Sequence, residues 1–231
     1  MAERPVFIPL PDGNRLVQEC PVEFHWHAGM ADSQKRKNVL SLHESAARRG
    51  LSPLLEISSK SEDRVGQRMS AFSLKVKLAG REIALENAFQ GSKVFRDGGP
   101  YSDLYEMEPR AAKSDTRLRD SGPLIGFHFD EDDYPIYPQT VFYDWLYISA
   151  LYPHMDYLRN KIYHYKGFTD IVFNPLKSIN CQARSCATLV TMDKQGVLSK
   201  AMSSFSAFLE IMIARSPLPT SDERHRQPSL M

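Results

Sequence analysis

Alternating apolar and polar positions predict short strands at several places along the chain. Val22, Phe24 and Trp26 alternate with polar residues, which is the period-two pattern of a strand that buries one face. The same alternation over residues 72–78, followed by a turn at Gly80, predicts a β-hairpin. Further short strands are predicted at residues 53–57, 124–129 and 168–173.

Apolar residues at helical spacing predict that helices dominate the regular structure. Residues 34–49 have this spacing, and Gly50 supplies a stop signal. Residues 138–152 and 154–165 form the most apolar part of the chain, where two packed helices are expected. Further helices are predicted at residues 85–95, 109–119 and 201–214.

The two ends of the chain differ from its middle. Residues 1–21 carry four prolines and a turn signal, so we predict an extended N-terminal arm with little regular structure. Residues 216–231 combine three prolines with mixed charges, which predicts a disordered C-terminal tail. Between them, residues 22–215 are expected to form a predominantly helical single α+β domain with a few short strands.

Composition places the chain among ordinary globular proteins. Of its 231 residues, 42% are hydrophobic and 25% charged, which excludes collagen-like, coiled-coil and wholly disordered classes. The net charge of +1 gives no overall positive field, so any contact with nucleic acid depends on a local patch. No apolar run is long enough to span a membrane, so no membrane partner is expected. Three cysteines without framework spacing and no signal-peptide pattern predict a cytoplasmic protein.

Most familiar catalytic motifs are missing from the sequence. Cys181 and Cys186 lack a second pair of ligands nearby, and His25 with His27 lack a third, so no metal site is predicted. There is no Gly-rich nucleotide loop and no Gly-x-Ser-x-Gly turn. We therefore expect neither a bound cofactor nor a serine hydrolase.

Two segments retain a pattern that suggests chemistry. The first is the loop Ser59-Lys60-Ser61, and the second begins at Glu86 in the first turn of a predicted helix. Ordinary structural roles also fit these residues, since loop lysines are usually solvated and first-turn carboxylates interact favourably with the helix dipole. The order of short motifs along the chain favours a functional interpretation.

The motifs occur between residues 55 and 192. A Ser-Lys loop comes first, then a glycine followed by Ser-x-Phe, then a Glu-x-x-Phe-Gln-x-x-Lys-x-Phe helix and a Pro-x-x-Ala-Lys helix. They stand here at Ser59-Lys60, Gly66 with Ser70-Ala71-Phe72, Glu86 to Phe95 with Phe89, Gln90 and Lys93, and Pro109 to Lys113. This order resembles the NADAR (YbiA-like) superfamily of ADP-ribose-related N-glycosidases.

The stretch Phe173-Asn174-Pro175-Leu176-Lys177-Ser178 and the residues after it look most similar to one branch of that superfamily. That branch is associated with DarT-type DNA ADP-ribosyltransferase toxins. The resemblance implies an antitoxin enzyme, an ADP-ribosyl-guanine glycohydrolase that removes ADP-ribose from guanine bases in DNA. It implies ADP-ribosylated DNA, taken as single-stranded, and ADP-ribose as ligands, and a functional pairing with a DarT-type toxin.

Two alternatives stay open at this point. One is an N-glycosidase that acts on a small metabolite, such as a riboflavin-pathway intermediate implied by other branches. The other is a non-enzymatic ADP-ribose-binding module. Loss of turnover with retained ADP-ribose binding distinguishes that module from either enzyme.

The resemblance also implies which residues carry the chemistry. Cleavage of a ribose C1–N bond develops positive charge on the sugar, and Glu86 is the predicted catalytic carboxylate that stabilises this charge or activates water. Lys60 is the predicted catalytic lysine for a Schiff-base route through the ring-opened ribose, with Lys93 as a weaker candidate. The residues expected to bind the substrate are Ser59, Ser61, Arg68, Ser70, Phe72, Asn87, Gln90, Asn180, Gln182 and Arg184.

Some of these polar residues have a second interpretation. Asn180, Gln182 and Arg184 fit the binding of diphosphate or base edges and fit equally well as residues that cap the turn after Pro175. Basic residues that are candidates for contacts with a DNA backbone, or for a solvated helix face, are Lys35, Arg36, Lys37, Arg48, Arg49, Lys113, Arg117 and Arg119.

Overall fold

Helices and short strands alternate along residues 1–215, which are the residues that the computed structural model describes. The first part of the chain forms, in order, β1 (Ala2–Pro9), β2 (Val17–Phe24), α1 (Asp32–Arg48), β3 (Leu54–Glu56), α2 (Arg64–Arg68), β4 (Lys75–Leu78), β5 (Arg81–Ala84), α3 (Leu85–Gly91) and β6 (Lys93–Phe95). The second part forms a 3₁₀ turn (Ser102–Glu106), α4 (Pro109–Lys113), α5 (Arg117–Asp120), β7 (Leu124–Phe129), β8 (Asp132–Tyr134), α6 (Val141–Leu151), a 3₁₀ turn (Tyr152–His154), α7 (Met155–Ile162), β9 (Gly167–Thr169), α8 (Gln182–Lys194), α9 (Leu198–Ala201) and α10 (Phe205–Arg215).

A four-stranded sheet in the order β2-β1-β9-β3 lies between two hydrophobic layers. β1 runs antiparallel to β2 and β9, whereas β3 runs parallel to β9. Side chains alternate across a strand, so Val6 packs in the smaller core with α1 while Phe7 packs in the larger core. The larger core also contains Phe142 of α6, Leu189 of α8 and Phe208 of α10.

This architecture confirms the predicted single α+β domain. The helix over residues 34–49 is confirmed as α1, and the hairpin as β4 and β5, which pair in antiparallel register on either side of Ala79-Gly80. The strand at residues 124–129 is confirmed as β7, and the paired apolar helices as α6 and α7. In the described part of the chain, no helix has both the length and the apolar character needed to cross a membrane.

The prediction of little regular structure in residues 1–21 is wrong. β1 and most of β2 lie there and pair over eight residues. The prolines are tolerated because β2 is an edge strand and β1 meets β9 at Phe7 alone, so few ladder hydrogen bonds are lost. The tail predicted at residues 216–231 lies outside the described residues.

Several predicted elements end earlier than the sequence pattern indicates. α3 ends at Gly91, and the chain continues as β6 because Lys93–Phe95 pairs with β7. The helix predicted over residues 109–119 is divided into α4 and α5, where Asp115 accepts a hydrogen bond from the backbone N–H of Arg117. The strand predicted over residues 168–173 ends at Thr169 as β9. These endings depend on strand pairing and local capping, which apolar spacing does not report.

Gly66 allows α2 to pack against the end of β3. A β-carbon at this position would lie 2.1 Å from the carbonyl oxygen of Glu56 and 2.4 Å from Ser61 Oγ. Gly66→Ala must therefore displace the loop that carries Lys60, and we expect it to lower the free energy of unfolding by about 1–3 kcal/mol. Chemical denaturation measures this loss. Gly126→Ala is the control, since its β-carbon would meet an ordinary contact at 3.4 Å, and equal losses in both variants would contradict the prediction.

Candidate active site

A cleft of about 1120 Å³ opens beside the end of the four-stranded sheet. The loop after β3, the start of α3, helix α4 and the turn after β9 contribute to its wall. Predicted site residues that line the cleft are Ser59, Lys60, Ser70, Phe72, Glu86, Gln90, Asn180 and Gln182. The fold thus brings together side chains that are separated by more than 100 positions in the sequence.

Four predicted substrate-binding residues do not line the cleft: Ser61, Arg68, Asn87 and Arg184. The Ser61 hydroxyl accepts a hydrogen bond from the backbone of Asp63, and Arg68 is exposed outside the cleft. Asn87 is buried and donates to two backbone carbonyls near the start of α4, at 2.6 and 2.7 Å. Arg184 donates to Thr140 and forms an ion pair with Asp144 at 3.2 Å. In this structure these contacts support the fold.

Glu86 is a buried carboxylate at the start of α3, with 3% of its surface exposed. The hairpin β4–β5 leads directly into this helix, and the backbone N–H of Glu86 donates to the carbonyl of Ala71 at 3.2 Å. Its Oε1 accepts a hydrogen bond from Gln90 Nε2 at 2.9 Å and lies 3.4 Å from Lys113 Nζ. The ammonium of Lys113 also lies 5.4 Å from the centre of the Phe72 ring. These contacts fix the position of the Glu86 carboxyl group at the wall of the cleft.

Lys60 lines the cleft from the loop after β3 and is 6% exposed. Its backbone N–H donates to Ser58 Oγ at 3.1 Å, which fixes the loop locally. Its Nζ donates to Asp32 Oδ1 at 2.7 Å, and the Asp32 side chain is largely exposed at the start of α1. The ammonium of Lys60 is therefore held at the mouth of the cleft by a partner that solvent or a ligand can reach.

Lys93 is a second lysine in the cleft, at the start of β6. Its Nζ donates to Gln90 Oε1 at 2.8 Å and lies 4.8 Å from the centre of the Phe89 ring. Burial lowers the pKa of Lys93 to about 8, while the nearby charge of Glu86 opposes that shift. Gln90 thus connects Glu86 to an amine that gives up its proton more easily than an exposed lysine does.

Asp170 is a cleft residue that the sequence reasoning missed. It follows β9, and its Oδ1 accepts hydrogen bonds from the backbone N–H groups of Val172 and Phe173 at 3.0 and 3.2 Å. Burial raises the pKa of Asp170 to about 6, and these hydrogen bonds oppose the shift. A strand predicted to continue to Phe173 hid this residue, whereas a polar residue at a strand end would have been a signal.

Gln182 and Asn180 occupy the same side of the cleft as Asp170. Gln182 donates to Asp170 Oδ2 at 3.0 Å and accepts from the backbone N–H of Ala71 at 2.7 Å, so it connects the turn after β9 to the segment before Phe72. Asn180 Oδ1 is buried and has no hydrogen-bond partner within residues 1–215. It offers an acceptor to a ligand in the cleft.

Metal-ligating residues do not cluster at the cleft or elsewhere in the described chain. No group of three or more His, Cys, Asp or Glu side chains within residues 1–215 is arranged to hold a metal ion. The acidic, basic and amide side chains that line the cleft are five carboxylates, five lysines, two arginines and four amides: Asp32, Glu86, Glu108, Asp115, Asp170, Lys35, Lys60, Lys93, Lys113, Lys177, Arg110, Arg119, Gln90, Asn174, Asn180 and Gln182.

The fold and the cleft define an α+β protein whose polar cleft combines buried carboxylates with lysines. The chain belongs to the NADAR family, and its sequence matches the model of the DarT1-associated NADAR antitoxins over residues 2–221. This match confirms the predicted superfamily and its association with a DarT toxin. No curated protein matches the chain.

Proposed function

We propose that the protein is an ADP-ribosyl-guanine glycohydrolase that removes ADP-ribose from guanine bases in DNA, and so acts as the antitoxin of a DarT-type toxin. Membership of the DarT1-associated NADAR antitoxins supports the antitoxin role. The observation that carries the enzymatic role is the buried Glu86 carboxylate, held by Gln90 and Lys113 at the wall of a cleft. The cleft volume of about 1120 Å³ suits a ligand as large as ADP-ribose.

Glu86 is the proposed catalytic carboxylate. When the ribose C1–N bond breaks, its electron pair stays on the guanine amino nitrogen, which takes up a proton, and C1 becomes cationic. A carboxylate beside C1 stabilises that charge in the transition state and accepts a proton from the water that adds to C1. Lys113 forms an ion pair with Glu86 at 3.4 Å, and its side chain is more than half exposed, so its ammonium is accessible to a phosphate of the substrate.

Lys60 is the proposed lysine of the reaction. On a covalent route the free amine of Lys60 bonds to C1 as the C1–N bond to guanine breaks, and a proton from the lysine nitrogen passes to the departing guanine amino group. The ribose ring then opens to a Schiff base, and addition of water releases ADP-ribose and restores the amine. The exposed Asp32 is the partner that the Lys60 ammonium must leave before the amine acts. Lys93 serves in this proposal as the neighbour that polarises Gln90 and Glu86.

Unpaired cations around the mouth of the cleft support a DNA substrate. Apart from Lys93, which donates to Gln90, four basic side chains of the described residues line the cleft and form no ion pair: Lys35, Arg110, Arg119 and Lys177. We call these four side chains the rim of the cleft. Arg117, which was also a candidate for DNA contacts, instead pairs with Asp103 and Asp115. Basic side chains arranged along a groove bind the backbone of single-stranded DNA through contacts with its phosphate groups.

Removing part of this rim is expected to change the salt dependence of DNA binding. Each phosphate contact on a single strand contributes about 0.7 to the slope of log K against log salt concentration. The double variant Arg110→Ala/Arg119→Ala should therefore reduce the slope by about 1.4, measured by fluorescence anisotropy with a single-stranded oligonucleotide. The control is Lys200→Ala, which changes an exposed residue of α9 that does not line the cleft. An unchanged slope in the double variant would contradict the proposed contacts of Arg110 and Arg119 with DNA phosphates.

A comparison of substrates tests the proposed function. We expect release of ADP-ribose from an oligonucleotide that carries ADP-ribosyl-guanine, and no turnover of riboflavin-pathway intermediates. Turnover of a small metabolite alone would favour the metabolite glycosidase. Binding of ADP-ribose without any turnover would favour the binding module, and either result would overturn the proposal.

A further inference from the structure

Glu56 is a buried carboxyl group that lies behind the wall of the cleft. It ends β3, and only 2% of its surface is exposed. Its Oε1 accepts hydrogen bonds from Ser58 Oγ at 2.6 Å and from the backbone N–H of Ile171 at 2.9 Å. Its Oε2 lies 2.7 Å from Thr169 Oγ1. One side chain thus contacts two segments that are more than 100 residues apart in sequence.

Both of these segments line the cleft. β3 and β9 are adjacent parallel strands, so their carboxyl ends meet at the same edge of the sheet. The chain after β3 carries Ser58 and Lys60, and the chain after β9 carries Asp170. A contact between the two strand ends therefore fixes the positions of Lys60 and Asp170 relative to each other.

The surroundings of Glu56 favour its neutral form. Burial raises the pKa of Glu56 to about 8 and the nearby charge of Asp170 adds to the shift, while the hydrogen bonds with Ser58, Ile171 and Thr169 oppose it. The other titratable groups around this pair are His43 on α1, whose pKa burial lowers to about 4, and Cys181, Tyr143 and Tyr147, whose pKa values burial raises. Arg4 and Lys113 contribute positive charge near Asp170. Burial of two neighbouring carboxyl groups therefore favours a proton on the pair, and Glu56, which forms no ion pair with a described basic residue, is the member that we expect to hold it.

The hydrogen bonds fit a neutral Glu56 without an unmatched group. Its Oε1 accepts from Ser58 and Ile171, and its Oε2 lies 2.7 Å from Thr169 Oγ1, so that a proton on Oε2 can be donated to the threonine hydroxyl. The Thr169 hydroxyl then donates to Nε2 of neutral His43, at 2.8 Å. Every donor in this series of hydrogen bonds then has one acceptor. A glutamine side chain at position 56 offers the same pattern of one acceptor oxygen and one donor group.

We propose that Glu56 is a positioning residue that, as the neutral acid, ties the loop bearing Lys60 to the turn bearing Asp170 and leaves the negative charge on the cleft wall to Asp170. The inference rests on the proposed function, because it assigns Lys60 to the reaction. Glu56 itself does not line the cleft and acts through the residues that do.

Two substitutions at this position test the proposal in the proposed reaction. Glu56→Gln should leave kcat within about threefold of the wild type, because the amide keeps the hydrogen bonds of the neutral acid. Glu56→Ala should lower kcat by about ten- to a hundredfold with little change in KM, since small misplacements of reacting groups cost this much. Equal activity of the alanine variant, or equal loss in both variants, would overturn the proposal.

Milder variants guard against a failure of Glu56→Ala to fold. Thr169→Val removes the hydrogen bond between Thr169 and Glu56, and Ser58→Ala removes the one from Ser58 together with the bond that Ser58 Oγ accepts from the backbone N–H of Lys60. Each should lower kcat by a few fold, and their effects should combine non-additively because both act through Glu56. If the variants lower thermal stability and leave the kcat of the folded protein unchanged, Glu56 is only structural and the proposal fails.

A stability measurement tests the charge state without any turnover. The folded protein holds the Glu56 proton more tightly than the unfolded chain, in which the carboxyl has its ordinary pKa of 4.5. The free energy of unfolding of the wild type should therefore fall relative to Glu56→Gln as pH rises from about 4.5 to about 8, and stay level above that. A constant difference would show an ordinary, ionised Glu56 and overturn the proposal. Absence of ADP-ribose release by the wild type would instead count against the proposed function.

Discussion

Glu86→Gln is expected to lower kcat for the release of ADP-ribose from guanine by about 10²- to 10⁴-fold. Glutamine has nearly the same shape, but it carries no negative charge to stabilise the cationic sugar and accepts no proton from water. The side chain is 3% exposed and already held by Gln90 and Lys113, so the change removes charge more than position. Single-turnover assays with excess enzyme measure the effect on the chemical step.

A matched control separates this effect from general damage. Glu82→Gln makes the same chemical change on an exposed residue of β5, outside the cleft, and should leave kcat unchanged. Both variants should keep the affinity for ADP-ribose within a few fold. Turnover of Glu86→Gln close to that of the wild type would remove Glu86 from the mechanism.

Lys60→Ala is expected to lower kcat by a comparable factor of about 10²–10⁴, because it removes the amine that bonds to C1. Lys60→Arg should be equally inactive, since arginine retains a positive charge for Asp32 but provides no nucleophilic amine at neutral pH. Reduction with borohydride during turnover should attach the sugar to the wild type, and mass spectrometry of peptides should find it on Lys60.

The neighbouring lysine provides the comparison for this prediction. Burial lowers the pKa of Lys93 to about 8, so about a tenth of the Lys93 side chains carry a free amine at pH 7. Because the bond to C1 is assigned to Lys60 and Lys93 has only a polarising role, Lys93→Met should nevertheless reduce kcat less than Lys60→Ala does. A reduced adduct on Lys93, or full activity of Lys60→Arg, would contradict the role assigned to Lys60.

Local patterns were sufficient to predict many elements of the fold. The hairpin β4–β5, the strand β7 and helix α1 follow from alternation, helical spacing and glycine stop signals, which act within a few residues. The N-terminal hairpin was missed because its prolines oppose a strand in general. They are tolerated at an edge of the sheet, and that position is decided by residues far along the chain.

Helix geometry explains which neighbours of Glu86 enter the cleft. Residues four positions apart share a helix face, so Glu86 and Gln90 both line the cleft and contact each other. Asn87 is turned by about 100° from Glu86 and reaches backbone carbonyls instead. The Glu-x-x-Phe-Gln motif therefore indicated that α3 lines the cleft, and the helical period decides which residues of α3 face a ligand.

Long-range pairing explains why Asp170 and Glu56 were missed. Glu56 and Thr169 are 113 residues apart in sequence and meet only because β3 and β9 are adjacent. Arg184 was instead predicted to bind substrate, whereas its guanidinium forms an ion pair with Asp144 of α6. Single-residue chemistry identified groups that are able to bind a substrate, and tertiary contacts decide which of them are available.

The most direct test is the mass of an ADP-ribosyl-guanine oligonucleotide before and after incubation with the purified protein. We expect the wild type to return the oligonucleotide to the mass of unmodified DNA and to release free ADP-ribose, while Glu86→Gln leaves the modified mass unchanged. An unchanged mass with the wild type, under conditions in which ADP-ribose binds, would contradict the proposed glycohydrolase activity.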